Sequence, residues 1–271
     1  MEVSELPLVS VIIPCYNHGD FLQDTINSVL GQTYKHFEII VINDGSTDVL
    51  TNTMLKDADW PNTMVLHIQN SGVSYARNLG IENSRGKYIL PLDGDDKIAP
   101  TYLEQAVRVL ETTSTTVVTS QVEYFGKKQG LFRLPEYSLE GLMGQNLLVC
   151  TSMFRRTDFD KTAGFNINMK EGFEDWDFWL SLLKGGGSVF LINEVLFYYR
   201  IRKTSRNASI SLEAQAKLRK QIYFNHKDLF SSHYFNPLQS FEYLNLYNSK
   251  EYRLGNMLLA PVRRIMNLIH V

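Results

Sequence analysis

The densest chemistry in the sequence is Leu92-Asp93-Gly94-Asp95-Asp96, three carboxylates within four residues, directly after an apolar run. At that spacing the charges repel one another unless a cation or a basic group sits among them. A divalent metal with oxygen ligands would answer the repulsion. Mg2+ or Mn2+ takes one or two carboxylates and completes its shell with substrate phosphate oxygens, which makes Asp95 a candidate ligand. The plainer alternatives are a solvated acidic turn or a calcium loop.

Four other segments could do chemistry. Gly172-Phe173-Glu174-Asp175-Trp176-Asp177 opens an aromatic-rich helical pattern with two adjacent acids. Such acids are favoured by the helix dipole, by about 0.3–1 kcal/mol each, but one of them could equally be a general base beside rings that stack on a sugar or acceptor. Trp176 and Trp179 read as core. Gly72 to Gly80 opens a helix whose start could hold an anion, with Arg77 reaching a base or phosphate or merely lying on the surface. Pro14-Cys15-Tyr16-Asn17 and Asp44-Gly45-Ser46-Thr47-Asp48 follow apolar runs. A carboxylate there can accept from a base N–H or a ribose hydroxyl, although Asn-Asp-Gly-Ser is also ordinary turn chemistry. Finally, Tyr198-Tyr199-Arg200-Ile-Arg202-Lys203-Thr-Ser205-Arg206 holds four basic residues in its last seven, with hydroxyls among them, which suits a diphosphate or a solvated loop.

These residues need elements to position them, and the sequence supplies a repeating pattern. Leu8–Ile13, Phe37–Ile42, Met64–Ile68 and Tyr88–Leu92 read as strands, and between them lie helical patterns such as Phe21–Leu30 and Gly72–Ser84. Strands alternating with helices imply a mostly parallel sheet covered on both faces, with ligands beyond the carboxyl ends of the strands. The chemical segments fall at those ends. The middle of the chain is less regular, with a helix over 102–110, a strand over 116–125, and Gly185-Gly186-Gly187 ending a helix that carries Trp176 and Trp179.

The 271 residues, 44% apolar and 21% charged, fit one large domain or two small ones and exclude disorder, collagen and coiled coil. Two cysteines, Cys15 and Cys150, exclude a disulfide scaffold and a four-Cys zinc site. No stretch approaches the roughly 20 apolar residues that cross a bilayer, and residues 1–6 do not read as a signal peptide, so a cytoplasmic location is expected. The net charge of −2 is unevenly spread. Residues 200–271 hold 12 basic and 4 acidic side chains, and the first 199 hold the other 15 basic and 25 acidic. An acidic cleft with its basic residues far along the chain disfavours nucleic acid as a partner.

In combination, Val-Ile-Ile-Pro14-Cys-Tyr16-Asn17, Ile-Asn-Asp44-Gly-Ser-Thr-Asp48, Ser-Gly-Val-Ser-Tyr-Ala-Arg77-Asn-Leu-Gly-Ile, Gly-Lys-Tyr-Ile-Leu-Pro-Leu-Asp93-Gly-Asp95-Asp96 and Glu174-Asp175-Trp-Asp resemble, in this order, the family 2 glycosyltransferases of bacterial glycan synthesis. The resemblance covers about Val9 to Arg206. It implies the α/β GT-A fold, Rossmann-like, with a C-terminal helical extension. Residues 1–100 would form the nucleotide-sugar-binding half, 101–206 the acceptor-binding and catalytic half, and 207–271 a basic amphipathic helical extension. It also implies inverting, metal-dependent transfer of a hexosyl or N-acetylhexosaminyl group. The donor would be a nucleotide diphosphate sugar, with UDP the commonest carrier, and the acceptor a hydroxyl of a glycan or lipid-linked sugar.

By position, Asp44 would bind the base, Arg77 would contact the base or support its pocket, and Asp93 would bind the ribose side. Asp95 would hold Mg2+ or Mn2+, Asp175 would be the general base with Glu174 the weaker candidate, and Pro14, Tyr16 and Asn17 would line the cleft. Many relatives carry a histidine in the late loop. This chain has none there, so Arg202 or Lys203 is expected to contact the diphosphate. A non-catalytic sugar-nucleotide binding module is the alternative. A nucleotidyltransferase fits less well, since Cys15-Tyr-Asn-His-Gly replaces its glycine-rich basic loop. The tail, with Leu254, Leu258, Val262, Ile265 and Ile269 on one helical face beside Arg253, Arg263 and Arg264, could lie on the inner face of the plasma membrane, dock on the domain, or form a homodimer contact.

Overall fold

The computed structural model describes residues 6–202 and 211–269, with side chains described through residue 264. The first half alternates as the apolar runs dictate: β1 (Val9–Cys15), α1 (Gly19–Leu30), β2 (Phe37–Asp44), α2 (Val49–Lys56), β3 (Thr63–Ile68), α3 (Val73–Glu82) and β4 (Tyr88–Pro91). Every residue of β1, β2 and β4 is buried, because helices cover both faces of the sheet. The period of two along a strand divides the core in two. Val9, Val11 and Ile13 of β1 pack with Leu22, Ile26 and Val29 of α1, whereas Ile12 packs on the opposite face with Ala76 and Ile81 of α3. Gly80 permits the close seat of α3, since a Cβ there would stand 2.6 Å from Ile12 and Ile42 side-chain carbons.

The sheet continues through β5 (Lys97–Ile98), α4 (Tyr102–Thr112), β6 (Val117–Gly126), β7 (Gly130–Phe132), α5 (Leu139–Gly144), β8 (Met153–Arg155), α6 (Arg156–Phe159), α7 (Glu174–Leu183) and β9 (Val189–Ile201). Its order is β3-β2-β1-β4-β8-β6-β9-β5, with β7 on β6, nine strands in all. The pairs β1–β2, β1–β4, β2–β3 and β6–β9 are parallel and carry most of the registered residues. Short antiparallel pairings of β8 with β4 and β6 join the two parallel groups, and β5 and β7 add antiparallel edges to β9 and β6. The expected mixed, mostly parallel sheet is therefore present, and the elements follow the pattern to within a few residues.

The helices of the extension differ in how they meet the core. In α8 (Leu212–Asn225) and α9 (Lys227–Ser232), Leu218, Ile222 and Leu229 are buried in the same cluster as α7. Asp177 of α7 accepts from Asn225 Nδ2 at 2.7 Å and pairs with buried His226 at 3.1 Å, which fixes α8 on the core. In α10 (Phe241–Asn248) and α11 (Lys250–Ile269), by contrast, Leu246, Leu254, Met257, Leu258 and Val262 are exposed. The boundary expected near residue 206 falls within 203–210, outside the described residues.

Candidate functional site

Two cavities open beyond the strand ends. The first, about 870 Å³, is bordered by Pro14, Tyr16, Asn17, His18, Asp44, Asp95 and Arg202. The second, about 550 Å³, is bordered by Tyr124, Phe132, Asn146, Asp175, Trp176 and residues of α8 and α10. Arg77, Asp93, Glu174 and Tyr199 border both, so the cavities meet at that junction.

In the first cavity, the loops after β1 and β2 are tied together. Asn17 has a left-handed backbone (φ 56) that asparagine tolerates. Its Oδ1 accepts from Thr47 N at 2.8 Å and Asp48 N at 3.2 Å, and its own N–H donates to Ser46 Oγ at 3.0 Å. Asn17 is thus a brace for the cleft wall. The buried Asp44 carboxylate accepts from Ser71 N at 2.7 Å and Gly72 N at 3.0 Å, which satisfies orphan donors ahead of α3. Each oxygen has two lone pairs and so keeps capacity for a base N–H. The Tyr16 ring is exposed at the rim.

The three carboxylates of the acidic turn are drawn apart by arginines. Asp93 Oδ1 meets Arg77 Nη2 at 2.7 Å, and Asp95 Oδ2 lies 2.8 Å from Arg202 Nε. Asp96 accepts from the Arg200 backbone N–H at 2.7 Å, while Arg200 Nε donates to the Asp95 carbonyl at 2.8 Å. Burial pushes the Asp95 carboxyl above its usual range, Asp93 adds to this, and His18 and Arg202 oppose it. Asp96 is pushed up further by burial and by its two acidic neighbours. His18, from the first loop, has its Nε2 at 3.3 Å from Arg202 Nη2. Lys203 lies outside the described residues.

No group of three or more His, Cys, Asp or Glu side chains suited to a metal occurs among the described residues. The donors in reach, Asp95 and Asp93, are hard oxygens in an open cleft. That set fits a cation of the Mg2+ or Mn2+ type, which takes few protein ligands and leaves positions for phosphate oxygens. It does not fit a closed structural site.

The junction is a buried ion-pair triad. Arg77, whose side chain is 2% exposed, holds Asp93 by Nη2 and Glu174 Oε1 by Nη1 at 3.1 Å. Both terminal nitrogens are committed, so Arg77 braces the wall that the two cavities share. Glu174 is likewise occupied. Phe173, before α7, is left-handed (φ 60) and follows Gly172 at φ 134. A bulky residue in that region stores roughly 1–3 kcal/mol of strain. At the start of α7 the adjacent acids point in different directions, Glu174 to Arg77 and Asp175 to Asn146 Nδ2 at 2.9 Å. Asp175 borders only the second cavity. Enclosure and the neighbouring Glu174 push its carboxyl up to about 6, against the pull of Arg77. A carboxylate of that basicity can take a proton near neutral pH. Trp176 and Trp179 are buried, as the helical spacing implies, but Trp176 also walls the second cavity and donates to the Leu142 carbonyl at 2.6 Å.

Tyr199 belongs to the late segment of hydroxyls and basic residues and borders both cavities, whereas nothing in the sequence singles out His18, Asn146 or Arg219 for the site. His18 stands beside Asn17 in the first turn and was within reach. Asn146 lies in a stretch without periodicity, and Arg219 lies 75 residues from the Gly144 carbonyl to which its Nη1 donates at 2.9 Å.

A family model described as "Glycosyl transferase family 2" matches residues 10–179. An uncharacterized glycosyltransferase of Rickettsia prowazekii is 32% identical over 225 residues, covering 76% of this chain and 69% of that protein. The Escherichia coli UDP-Glc:alpha-D-GlcNAc-diphosphoundecaprenol beta-1,3-glucosyltransferase WfaP is 32% identical over 212 residues, covering 75% and 81%. Among solved structures, S. aureus TarS 1-349 in complex with UDP superimposes with a TM-score of 0.67 at 22% identity, over 92% of this chain and 74% of that one. At that identity the likeness speaks for the GT-A fold.

Proposed function

The chain belongs to the family 2 glycosyltransferases, and we propose that it moves a hexosyl or N-acetylhexosaminyl group from a UDP-linked donor to a hydroxyl of a glycan, with inversion, in surface polysaccharide synthesis. The observation that carries this reading is the pair of cavities meeting at Arg77, with the acidic turn on one side and Asp175 on the other. WfaP is named for transfer from UDP-Glc onto a diphosphoundecaprenol-linked sugar, and the TarS structure contains UDP. Both support a UDP-sugar donor, and the first supports a lipid-linked acceptor.

The chain's residues divide the work. Asp44 accepts from the base, and the Tyr16 ring flanks it. Asp93, oriented by Arg77, accepts from the ribose. Asp95, with Asp93 nearby, would hold Mg2+ or Mn2+, which supplies charge neutralisation at the departing diphosphate. Arg202, beside Asp95, is placed to exchange its carboxylate partner for diphosphate oxygens. Asp175 takes the acceptor proton as the acceptor oxygen bonds to the anomeric carbon. The bond from that carbon to the phosphate oxygen breaks, and its electron pair leaves with UDP. Approach and departure on opposite faces give inversion without a covalent glycosyl-enzyme.

Two measurements test this. Wild-type protein should release UDP from a UDP-sugar in the presence of Mn2+, and both EDTA and Asp95→Ala should reduce that release at least a hundredfold. Release untouched by chelator and by the substitution would remove the cation from the mechanism. No release at all, with UDP still bound, would leave a sugar-nucleotide binding module.

We also propose a peripheral membrane contact. No described helix is long and apolar enough to cross a membrane. Helix α11 nevertheless exposes Leu254, Met257, Leu258 and Val262, and residues 252–271 hold three arginines and no acid. That complements an anionic leaflet, at about 1 kcal/mol per basic residue near the surface. Full-length protein should float with phosphatidylglycerol vesicles and lose most of that flotation on Leu258→Glu with Val262→Glu. Equal flotation of the two would dismiss the contact.

A further inference from the structure

The second cavity is not closed by the family region alone. Residues 10–179 match the family model, yet Gln215 and Arg219 of α8 and Phe241 of α10 complete the wall facing Asp175. The extension is fastened there. Arg219 lies 4.9 Å above the Trp176 ring and 5.9 Å from that of Phe241, its Nε is 2.6 Å from Glu242, and its Nη1 donates to Gly144. We infer that α8 and α10 form part of the acceptor site, and that this site takes the neutral pyranose end of a glycan. The inference rests on the transferase reading above and adds a substrate class and the residues that select it.

The cavity's chemistry carries the choice of ligand. Its volume, about 550 Å³, lies within the roughly 300–1,000 Å³ typical of a small-molecule site and suits one or two sugar rings. Tyr124 and Phe132 stack at 5.3 Å along one side, and Phe241, 42% exposed, stands in the extension. Such faces accept the C–H side of a pyranose. Asn146, bonded to Asp175 and to Leu148 N, keeps a second N–H and a lone pair for a hydroxyl group, and Gln215 stands in the same wall. Charge argues against an anion. Asp93, Asp96, Glu174 and Asp175 border the cavity, and its two arginines already lie in ion pairs, Arg77 with Asp93 and Glu174 and Arg219 with Glu242. A uronate next to Asp175 would meet uncompensated negative charge.

The test uses the full chain saturated with UDP, with saturation-transfer NMR on octyl glucoside, octyl galactoside, octyl N-acetylglucosaminide and octyl glucuronide. At least one neutral glycoside should bind, and the glucuronide should bind at least tenfold more weakly. Phe241→Ala should weaken the neutral ligand about tenfold or more, Phe241→Tyr should restore it, and UDP affinity and thermal stability should stay at the wild-type level. The inference fails if no neutral glycoside binds, if the glucuronide binds as well, or if Phe241→Ala with Gln215→Ala binds like wild type. Acceptor-free UDP release separates the two claims. Its absence from wild type counts against the transferase reading, whereas normal release with unaffected glycoside binding in the variants counts against the extension's role alone.

Discussion

Asp175→Asn is expected to lower kcat for sugar transfer by about 10²–10⁴-fold, the usual contribution of a positioned general base, with UDP affinity unchanged. Asn keeps the shape and can still meet Asn146 after an amide flip, so the loss isolates the proton acceptor. Glu174→Gln should cost less through chemistry, because Glu174 is already held by Arg77. The pH dependence follows from the surroundings. Asp175 faces Glu174, Arg77 and Asn146, and its carboxyl is pushed up to about 6. It must be ionised to act, so the wild-type rate should fall as pH drops through about 6, and this limb should vanish in the Asn variant.

The same raised value makes a stability statement with a definite sign. The folded state binds the proton more tightly than the unfolded chain does, so ionising Asp175 costs stability above about 6, and the cost disappears below the ordinary carboxylate range near 4. With about 1.4 kcal/mol per unit, discounted for the side chain's partial exposure, Asp175→Asn should stabilise the protein at pH 7.5 by about 1–2 kcal/mol. Urea unfolding at pH 7.5 and pH 4 reads it, and a variant equally stable or weaker at pH 7.5 would show that the strain here lies elsewhere.

The second large effect is expected at Arg77. Arg77→Leu removes the buried cation that Asp93 and Glu174 share, leaving two carboxylates facing each other across the junction. Breaking such a pair typically costs about 3–5 kcal/mol. Asp93 is 34% exposed and can regain water, so the lower end, about 3 kcal/mol, is expected. UDP affinity and transfer should both fall, since the triad positions both cavities. Adding Glu174→Gln should recover part of the stability, because it removes one of the two facing carboxylates. Unfolding free energies of Arg77→Leu, Glu174→Gln, the double variant and wild type measure this. Additive losses would mean that Arg77 and Glu174 do not interact in solution.

The first half of the fold was legible in the sequence because each strand there is a mostly apolar run bounded by turn residues. Residues such as Pro14, Asp44 and Asp95 stand just past those runs, and a buried parallel sheet leaves only its strand ends for ligands. The acidic turn was legible for the same reason, since three carboxylates in four residues declare their need for positive charge. Its answer was not legible. The sequence does not say that Arg77 pairs with Asp93, that Arg202 pairs with Asp95, or that the Arg200 backbone N–H takes Asp96.

Adjacent acids at 174 and 175 are alike in sequence, and only their surroundings, met about 100° apart around the start of α7, give one an ion pair with Arg77 and the other a contact with Asn146 at the second cavity. The extension shows the same limit, because amphipathic spacing cannot tell a docked helix from an exposed one. Helix α8 is seated by the buried Asp177–His226 contact, whereas Leu254, Met257, Leu258 and Val262 of α11 stay exposed. Local sequence thus determined the elements, their alternation and the positions of the chemical groups, through backbone preferences and burial that act over a few residues. Which group meets which was decided by the tertiary structure, because charge pairing and desolvation depend on distances through space that chain order does not encode.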